Sequence, residues 1–215
     1  MKISRYNTVG PVIVIDDFLP EASAAEVLDE CIELKPIYHQ AGVISKKPGV
    51  QGQGGLIDKN MRKNEAVFID KIFDKNAEKS RILKHVFNGN FKRKLKDTWR
   101  EGDTCFDIIN YANRFETVLS RYGDGDFYNY HLDSNGTFGN RVITAVYYVQ
   151  KPNVTFTGGE LVLKRNDQEL AIPPSHNKLV VFRSDTLHKV QTVKMLSDKF
   201  EDSRFSVNIW IGFKE

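Results

Sequence analysis

The second half of the chain is a succession of short, strand-like runs. From residue 104 onward, eight stretches rich in β-branched and aromatic residues alternate with Gly, Pro, Asn and Asp, which favour turns. The stretches are FETVLSRY, DFYNYHLD, RVITAVYYV, GELVLKR, QELAIP, KLVVFRSD, LHKVQTV and RFSVNIWIGF. Eight strands of this length predict two facing antiparallel sheets, a double-stranded β-helix or jelly roll. We therefore predict an α+β, mainly β, fold built on a jelly-roll core.

The first half has a different pattern. PVIVIDDFLP predicts a short buried strand, and helical spacing follows in EASAAEVLDECIELK, whose apolar residues are Ala24, Val27, Leu28, Cys31 and Leu34. A second helical pattern runs from Ile82 to Trp99, with Gly89 as an interruption. We expect these helices to pack on the outer face of one sheet.

Between the helical patterns, residues 41–63 read AGVISKKPGVQGQGGLIDKNMRK, a glycine-rich and basic segment without a regular period. This composition predicts a mobile loop or loose hairpin, which could serve as a lid over a site. No linker divides the chain. We predict one domain over residues 1–215, with 1–103 as helical support and lid and 104–215 as the jelly-roll core.

Charge and cysteine usage narrow the partners and the compartment. The chain has 31 Lys plus Arg against 28 Asp plus Glu, a formal net charge of +3, with the signs mixed. No strong field for nucleic acid or an anionic membrane is expected. Cys31 and Cys105 form no CxxC pattern, and the start of the chain lacks an apolar signal core. These features predict a soluble, cytoplasmic protein, and they indicate no oligomeric state.

A candidate metal site lies in YGDGDFYNYHLDSNG, where His131 and Asp133 are two positions apart. Alternate residues of a strand point to the same side, so the two side chains should emerge together. An HxD pair alone is weak, because a surface histidine beside a turn-capping aspartate is common. His188, in a distant run of the same predicted sheets, could complete the set. Two histidines and one carboxylate leave half of an octahedral sphere open, as in non-haem Fe(II) oxygenases.

The last predicted strand carries an unusual polar face. Alternation places Arg204, Ser206, Asn208 and Trp210 on one side and apolar residues on the other. A guanidinium lining a cavity can hold a carboxylate through two parallel hydrogen bonds. A salt bridge at a strand end is the alternative for a lone arginine. In RVITAVYYV, the hydroxyls of Thr144 and Tyr148 share one face and could assist the same carboxylate.

These motifs together resemble a known family. The series YGDGDFYNYHLD, RVITAVYYV, GGELVLKR, IPPSHNKLVVFRSDTLHKV and RFSVNIW is similar to the catalytic core of the prolyl 4-hydroxylase-like 2-oxoglutarate/Fe(II)-dependent dioxygenases. The resemblance covers about Tyr122 to Trp210. It implies iron ligation by His131, Asp133 and His188. It also implies that 2-oxoglutarate is held by Arg204, Tyr148, Thr144 and Tyr122, the last being one residue off the spacing of the family's tyrosine.

On the substrate side, the resemblance implies roles for Tyr128, Arg141 and Trp210. It implies hydroxylation of a peptidyl or protein prolyl or similar side chain with release of succinate and CO2, and it adds ascorbate as a candidate accessory reductant. The chain departs from the family in the spacing between His188 and Arg204, which at 16 residues is longer than is typical of the family. An enlarged turn between the two strands would accommodate the extra residues.

Several alternatives stay open. The same chemistry could act on a free amino acid, another small molecule or a nucleic acid, although the stacking lid and strong positive charge expected for nucleic acid are not evident. Two histidines and a carboxylate also suit a zinc hydrolase, but no HExxH helix is present and Arg204 would lack a purpose. A noncatalytic barrel that binds a metal or carboxylate would keep the ligands and show no turnover.

Overall fold

The structure, a computed structural model, describes residues 1–43, 51–52, 55–74, 76–86, 91–99, 104–134, 140–154 and 156–214. The predicted lid at 41–63 is described only at its two ends and at residues 51–52, and the predicted interruption at Gly89 lies outside the described residues. Among the described residues, no helix is long and apolar enough to cross a membrane.

The described part of the chain contains four α-helices, and the longest of them is the predicted one in the first half. They are α1 (Glu21–Glu33), α2 (Ile69–Ile72), α3 (Arg81–Val86) and α4 (Phe91–Asp97). Helices α3 and α4 both lie in the second predicted helical stretch, which is therefore helical on both sides of residues 87–90. Short 3₁₀ turns occupy Lys35–Ile37, Ala77–Lys79, Thr104–Asn110 and Phe200–Asp202.

Strands account for most of the regular structure. Those in the described residues are β1 (Lys2–Tyr6), β2 (Val12–Asp16), β3 (His39–Gln40), β4 (Gln51–Gly52), β5 (Gly55–Leu56), β6 (Arg62–Lys63), β7 (Glu65–Phe68), β8 (Arg114–Tyr122), β9 (Phe127–His131), β10 (Arg141–Val149), β11 (Phe156–Thr157), β12 (Leu161–Arg165), β13 (Gln168–Ile172), β14 (Lys178–Arg183), β15 (Leu187–Val190), β16 (Lys194–Met195) and β17 (Arg204–Gly212). Each of the eight predicted runs contains one of these strands, so that prediction is confirmed.

The strands form two principal antiparallel sheets. The major sheet has the order β1-β2-β14-β10-β17-β8-β7-β3, and the minor sheet has the order β13-β12-β15-β9-β6. Two small ribbons, β11-β16 and β4-β5, complete the described pairings. The chain passes repeatedly between the two sheets, as a double-stranded β-helix requires, and the predicted jelly-roll class is confirmed.

The first half of the chain extends both sheets. Strands β1 and β2 lie at one edge of the major sheet and β3 and β7 at the other, while β6 pairs with β9 at the edge of the minor sheet. The predicted strand in PVIVIDDFLP is β2, whose first four residues are buried. The other added strands are too short or too polar for a period-2 pattern, so the sequence did not predict them.

The outer face of the major sheet is covered by helices. Alternate residues of β10 and β17 join α1 and α3 in one buried cluster, which includes Val27, Ile82, Tyr147 and Val207. Helix α1 buries the predicted face, since Ala24, Val27, Leu28 and Cys31 are all in this cluster. The predicted packing of the helices on the outer face of one sheet is therefore confirmed.

The inner faces of the two sheets pack on each other over part of their area. Val14, Tyr148 and Phe182 of the major sheet meet Leu161 and Leu163 of the minor sheet in a second cluster. From Ile143 to Val149, residues of β10 with even numbers thus point between the sheets and those with odd numbers point to the helices, whereas an irregularity between Arg141 and Ile143 turns Arg141 toward the cavity. The same alternation holds along β17, where Phe205, Val207, Ile209 and Ile211 belong to the helix side.

Candidate active site

A cavity of about 850 Å³ opens between the sheets beyond this inner packing. Its wall is formed by β8, β10 and β17 of the major sheet and by β9 and β15 of the minor sheet, with Arg62 of β6 at the rim. Every residue predicted for the metal, the co-substrate or the substrate lies in this wall: His131, Asp133, His188, Arg204, Tyr148, Thr144, Tyr122, Arg141, Trp210 and Tyr128.

The three predicted metal ligands converge at one point of the wall. One ligand atom of each residue lies within 4.8 Å of those of the other two. Asp133 Oδ1 is 3.7 Å from His131 Nε2, and Asp133 Oδ2 is 3.4 Å from His188 Nε2. The convergence follows from strand pairing, because His131 and His188 are direct partners of β9 and β15. Such a set suits one divalent cation with open positions.

Each of the two imidazoles is oriented by a hydrogen bond from its Nδ1–H to a backbone carbonyl. His131 Nδ1 lies 2.8 Å from the Asn129 carbonyl, and His188 Nδ1 lies 2.8 Å from the Thr186 carbonyl. A carbonyl only accepts, so each Nδ1–H donates and each Nε2 keeps its lone pair for a metal. Burial, reinforced by the neighbouring His188, lowers the pKa of His131 to about 3. His131 is therefore a neutral, ligand-ready imidazole at physiological pH.

Hydrogen bonds to its side chain and its backbone hold Asp133 in place. Thr144 Oγ1 donates to Asp133 Oδ2 at 2.8 Å and lies 3.0 Å from Ser184 Oγ. The backbone amide of Asp133 also donates to the Ser184 carbonyl at 3.1 Å. Burial alone would raise the pKa of Asp133, but His188, His131 and the nearby Trp210 and Thr144 donors outweigh it, and the pKa is lowered. The side chain is thus a fixed, ionised carboxylate.

A bulge in β9 brings Tyr128 beside the metal ligands. Val190 pairs with Tyr128 and His188 pairs with His131, so three residues of β15 lie opposite four residues of β9. Tyr128 and His131 therefore share the inner face, although they are an odd number of residues apart. Their rings stack at 3.6 Å between centroids, with an interplanar angle of 13°.

Arg204 forms a second, buried focus of the cavity. It is 1 % exposed, and its guanidinium carbon lies 4.7 Å and 4.9 Å from the ring centroids of Tyr122 and Tyr148. Its Nε donates to the Gly159 carbonyl at 2.8 Å and its Nη1 to Ser206 Oγ at 3.5 Å. Within the described residues, none of its hydrogen bonds goes to a carboxylate. A buried guanidinium without a counter-ion favours an anionic ligand.

A neutral donor lies beside this cation. The Tyr148 hydroxyl is buried and has no hydrogen-bond partner among the described residues. Burial raises the pKa of Tyr148 to about 12, against the opposing charge of Arg204, so the hydroxyl remains protonated. Burial also raises the pKa of Tyr122. An unpaired hydroxyl and an uncompensated guanidinium in one pocket are the donors that a carboxylate needs.

The turn before β12 leaves room for Arg204. Gly158 and Gly159 have φ of 74° and 73°, in the left-handed region that glycine adopts without steric cost in a tight turn. A Cβ on Gly159 would lie 2.8 Å from Arg204 Cδ. Glycine at this position therefore permits both the turn and the close approach of the guanidinium stem.

The predicted substrate residues form the other end of the cavity. Arg141 donates to both Glu116 oxygens, from Nε at 2.8 Å and from Nη2 at 2.9 Å. Its guanidinium carbon lies 3.9 Å from the Trp210 ring centroid. The Trp210 Nε1 atom is buried and makes no hydrogen bond to a described residue. Glu116 thus holds the Arg141 guanidinium against the Trp210 ring, and the sequence reasoning did not identify Glu116.

Glu116 and Arg62 are cavity residues that contact predicted site residues and that the sequence reasoning missed. Glu116 shares the inner face of β8 with Tyr122, so alternation from that predicted residue could have located it. Arg62 lies in the predicted lid, where no periodic pattern gives a signal. Its position follows from pairing with Tyr128 at the edge of the minor sheet.

Comparison with known proteins agrees with this geometry. Residues 117–212 match the family model described as 2OG-Fe(II) oxygenase superfamily. An uncharacterized PKHD-type hydroxylase of Synechocystis is 28% identical over an alignment of 213 residues that covers 93% of this chain. The chain spans 62% of the length of that relative.

Solved structures show the same fold. A Pseudomonas putida prolyl-4-hydroxylase superposes with a TM-score of 0.66 at 20% identity, covering 94% of this chain and 92% of its own. A Trichoplax adhaerens prolyl hydroxylase, solved with a hypoxia inducible factor peptide fragment, gives a TM-score of 0.66 at 17% identity, covering 94% of this chain and 83% of its own.

The predicted resemblance is confirmed over residues 117–212, which match the 2OG-Fe(II) oxygenase superfamily. The chain is similar to the prolyl 4-hydroxylases in fold and to a PKHD-type hydroxylase in sequence, and these matches indicate an oxygenase. The matched family implies Fe(II) and 2-oxoglutarate as the metal and the co-substrate. The convergent His-Asp-His set fits that metal and the Arg204 pocket fits that co-substrate, which favours an oxygenase over a zinc hydrolase or a noncatalytic barrel.

Proposed function

We propose that this protein is a 2-oxoglutarate- and Fe(II)-dependent hydroxylase of the prolyl 4-hydroxylase type. Its acceptor is a peptidyl or protein prolyl or similar side chain. One observation carries the proposal: the uncompensated Arg204 and the unpaired Tyr148 hydroxyl share a cavity with His131, Asp133 and His188. A zinc hydrolase needs the metal ligands but has no use for the buried cation.

The metal would be held by Nε2 of His131, Nε2 of His188 and a carboxylate oxygen of Asp133. Bound Fe(II) with 2-oxoglutarate supplies oxygen activation, in which decarboxylation to succinate and CO2 is coupled to hydroxylation of a C–H bond. The chain's own part is to keep the three ligands on one side. The Thr144 hydrogen bond to Asp133 and the two Nδ1–H bonds do this before any metal arrives.

The distal carboxylate of 2-oxoglutarate would lie against Arg204 and Tyr148. The guanidinium offers its Nη groups, and the Tyr148 hydroxyl, whose pKa of about 12 keeps it protonated, offers one more donor. Tyr122 covers the guanidinium with its ring. Thr144 was also predicted to contact the co-substrate. Its hydroxyl donates to Asp133, and we propose that it supports the co-substrate through that carboxylate.

The acceptor would enter between Tyr128 and Trp210. A prolyl ring is apolar and saturated, so it can pack against aromatic faces without leaving a polar group unpaired. Arg141, held by two hydrogen bonds to Glu116, packs on the face of the Trp210 ring and fixes its position. A peptide acceptor is supported by likeness to the Trichoplax prolyl hydroxylase, which was solved with a peptide fragment. Tyr128, Arg141 and Trp210 would therefore select the acceptor.

The proposal is tested in two steps. Anaerobic addition of 2-oxoglutarate to the Fe(II)-loaded protein should give a visible charge-transfer band, and admission of oxygen should release succinate. Mass spectrometry of prolyl peptides should then reveal a +16 Da product. Loading with Zn(II) serves as the control, since it should abolish the band. A protein that hydrolyses esters or amides with Zn(II) and gives no band with Fe(II) would contradict the proposal.

Ascorbate has a separate test. We propose that it sustains turnover by restoring Fe(II) after uncoupled cycles, so its omission should shorten the burst of product without changing the initial rate. An unchanged time course without ascorbate would show that ascorbate does not sustain turnover.

A further inference from the structure

The substrate end of the cavity contains a guanidinium that has no carboxylate partner in the part of the chain that the structure describes. Arg62 lies in the cavity wall on β6, and within the described residues none of its hydrogen bonds or ion pairs is with a carboxylate. Glu116 pairs with both Arg141 and Arg114, at 2.8 Å and 3.2 Å, and under the proposed function Arg204 binds the co-substrate. Among the described arginines of the cavity wall, Arg62 is therefore the one with neither a carboxylate partner nor a proposed ligand.

Arg62 is also held in place. Its Nε donates to Asn64 Oδ1 at 2.5 Å, and its Nη1 donates to the Gly42 carbonyl at 3.3 Å. Asn64 is itself buried, with 1 % exposure, and its Nδ2 donates to the Glu65 carbonyl at 2.9 Å. These bonds use Nε and Nη1 and leave the Nη2 donors for a ligand. A fixed guanidinium loses little entropy when it binds an anion.

The position of Arg62 relates it to the reacting centre. Its guanidinium carbon lies 4.4 Å from the Tyr128 ring centroid, and that ring stacks on His131 at 3.6 Å. The Tyr128 ring thus lies between the Arg62 guanidinium and the imidazole of the metal ligand His131 and contacts both. An anion bound there would belong to the acceptor residue itself or to its immediate neighbour in a peptide.

We propose that Arg62 is a specificity-determining residue that binds a carboxylate of the acceptor substrate. The acceptor would then be a prolyl residue flanked by Asp or Glu, or one that bears its own free carboxylate. This inference rests on the proposed function and narrows its substrate class. Basic peptides and carboxyl-free peptides should bind poorly, because they leave the guanidinium without a partner in a partly desolvated site.

The test uses a defined set of probes. The full chain is loaded with Mn(II) and 2-oxoglutarate without oxygen and dialysed against peptides of the form Ac-Ala-X-Pro-X-Ala-NH2, with X as Asp, Glu, Asn or Gln. L-Proline and L-prolinamide are included as a second pair. Mass spectrometry of the retained fraction should show each acid favoured over its amide by about tenfold or more, which corresponds to one well-formed charge-assisted contact.

Variants assign this preference to Arg62. Arg62→Gln should remove the acid preference, and Arg62→Lys should keep part of it. Lys63→Gln, on the same strand but outside the cavity wall and paired with Asp126 at 3.4 Å, should leave it unchanged. Equal retention of acids and amides by the wild type, or retention of neither, overturns the inference. So does an acid preference that survives Arg62→Gln.

A parallel titration separates the two sources of a carboxylate. If Arg62 held 2-oxoglutarate, Arg62→Gln would weaken co-substrate binding, and the acceptor assignment would be overturned. We expect its 2-oxoglutarate affinity to stay within about twofold of the wild type, the range expected when no contact is lost. The anaerobic Fe(II) band needs no acceptor. A wild type with the band but without acid preference refutes only this inference, whereas loss of the band refutes the proposed function.

Discussion

Removal of the Arg204 guanidinium should chiefly weaken 2-oxoglutarate binding. Arg204 is 1 % exposed and has no carboxylate partner within the described part of the chain, so an incoming carboxylate meets a desolvated cation. Such a pair contributes about 2–4 kcal/mol, which is roughly a 30- to 1000-fold rise in the dissociation constant. The Tyr148 hydroxyl remains as a donor, so binding should weaken and not vanish.

The assay is an anaerobic titration of Fe(II)-loaded Arg204→Met with 2-oxoglutarate, followed by the visible band. Methionine keeps much of the apolar stem and removes the charge. Arg121→Gln is a matched control, because Arg121 also contacts an aromatic ring and pairs with Glu65 at 2.8 Å, yet lies outside the cavity wall. The reasoning is refuted if Arg204→Met changes the dissociation constant less than about threefold, since a buried ion pair is worth more than that.

Further predictions concern the groups around the site. Thr144→Val removes the hydroxyl that donates to Asp133, so the metal affinity measured by equilibrium dialysis should fall about 10- to 100-fold. An unchanged affinity would contradict this prediction. Gly159→Ala places a methyl 2.8 Å from Arg204 Cδ at a left-handed φ, so the thermal unfolding midpoint should drop by several degrees, equivalent to about 1–3 kcal/mol, and 2-oxoglutarate binding should weaken with it. Trp210→Ala should reduce product formation more than succinate release, and equal losses would place Trp210 in the core only. Burial raises the pKa of the Glu30 carboxyl in α1, so the folded state retains this proton more strongly than the unfolded state. The free energy of unfolding should therefore decline as the pH rises from the ordinary glutamate pKa through the raised one. Glu30→Gln, whose side-chain oxygen can still accept from the Ile82 amide, should flatten this decline in urea titrations, and an unchanged pH profile would contradict the prediction.

The sequence predicted the parts of the site that depend on alternation. Arg204 and Trp210 of β17 and Tyr148 of β10 line the cavity because even-numbered residues point inward on both strands. The convergence of His131 with His188 required knowledge of which strands pair, and the family resemblance supplied it. Only the first of these inferences used a local pattern, the alternation along a strand.

Other parts of the site depend on features that local patterns do not encode. Tyr128 faces the cavity with His131 only because β9 bulges, and strict alternation would place it on the opposite face. Thr144 donates to Asp133, which the shared face with Tyr148 did not reveal. Arg62 reaches the cavity through the pairing of a two-residue strand. These contacts arise from register and tertiary packing, so one strand read alone cannot show them.

The central claim is that a single cavity holds a metal on His131, Asp133 and His188 and, beside it, a dicarboxylate on Arg204 and Tyr148. A crystal structure with Mn(II) and 2-oxoglutarate, read by the anomalous signal of the metal, tests it most directly. The account predicts metal bonds of about 2.0–2.3 Å to His131 Nε2, His188 Nε2 and Asp133, with the distal carboxylate on Arg204 and Tyr148. A metal bound without His188, or a dicarboxylate that leaves Arg204 without a contact, would contradict it.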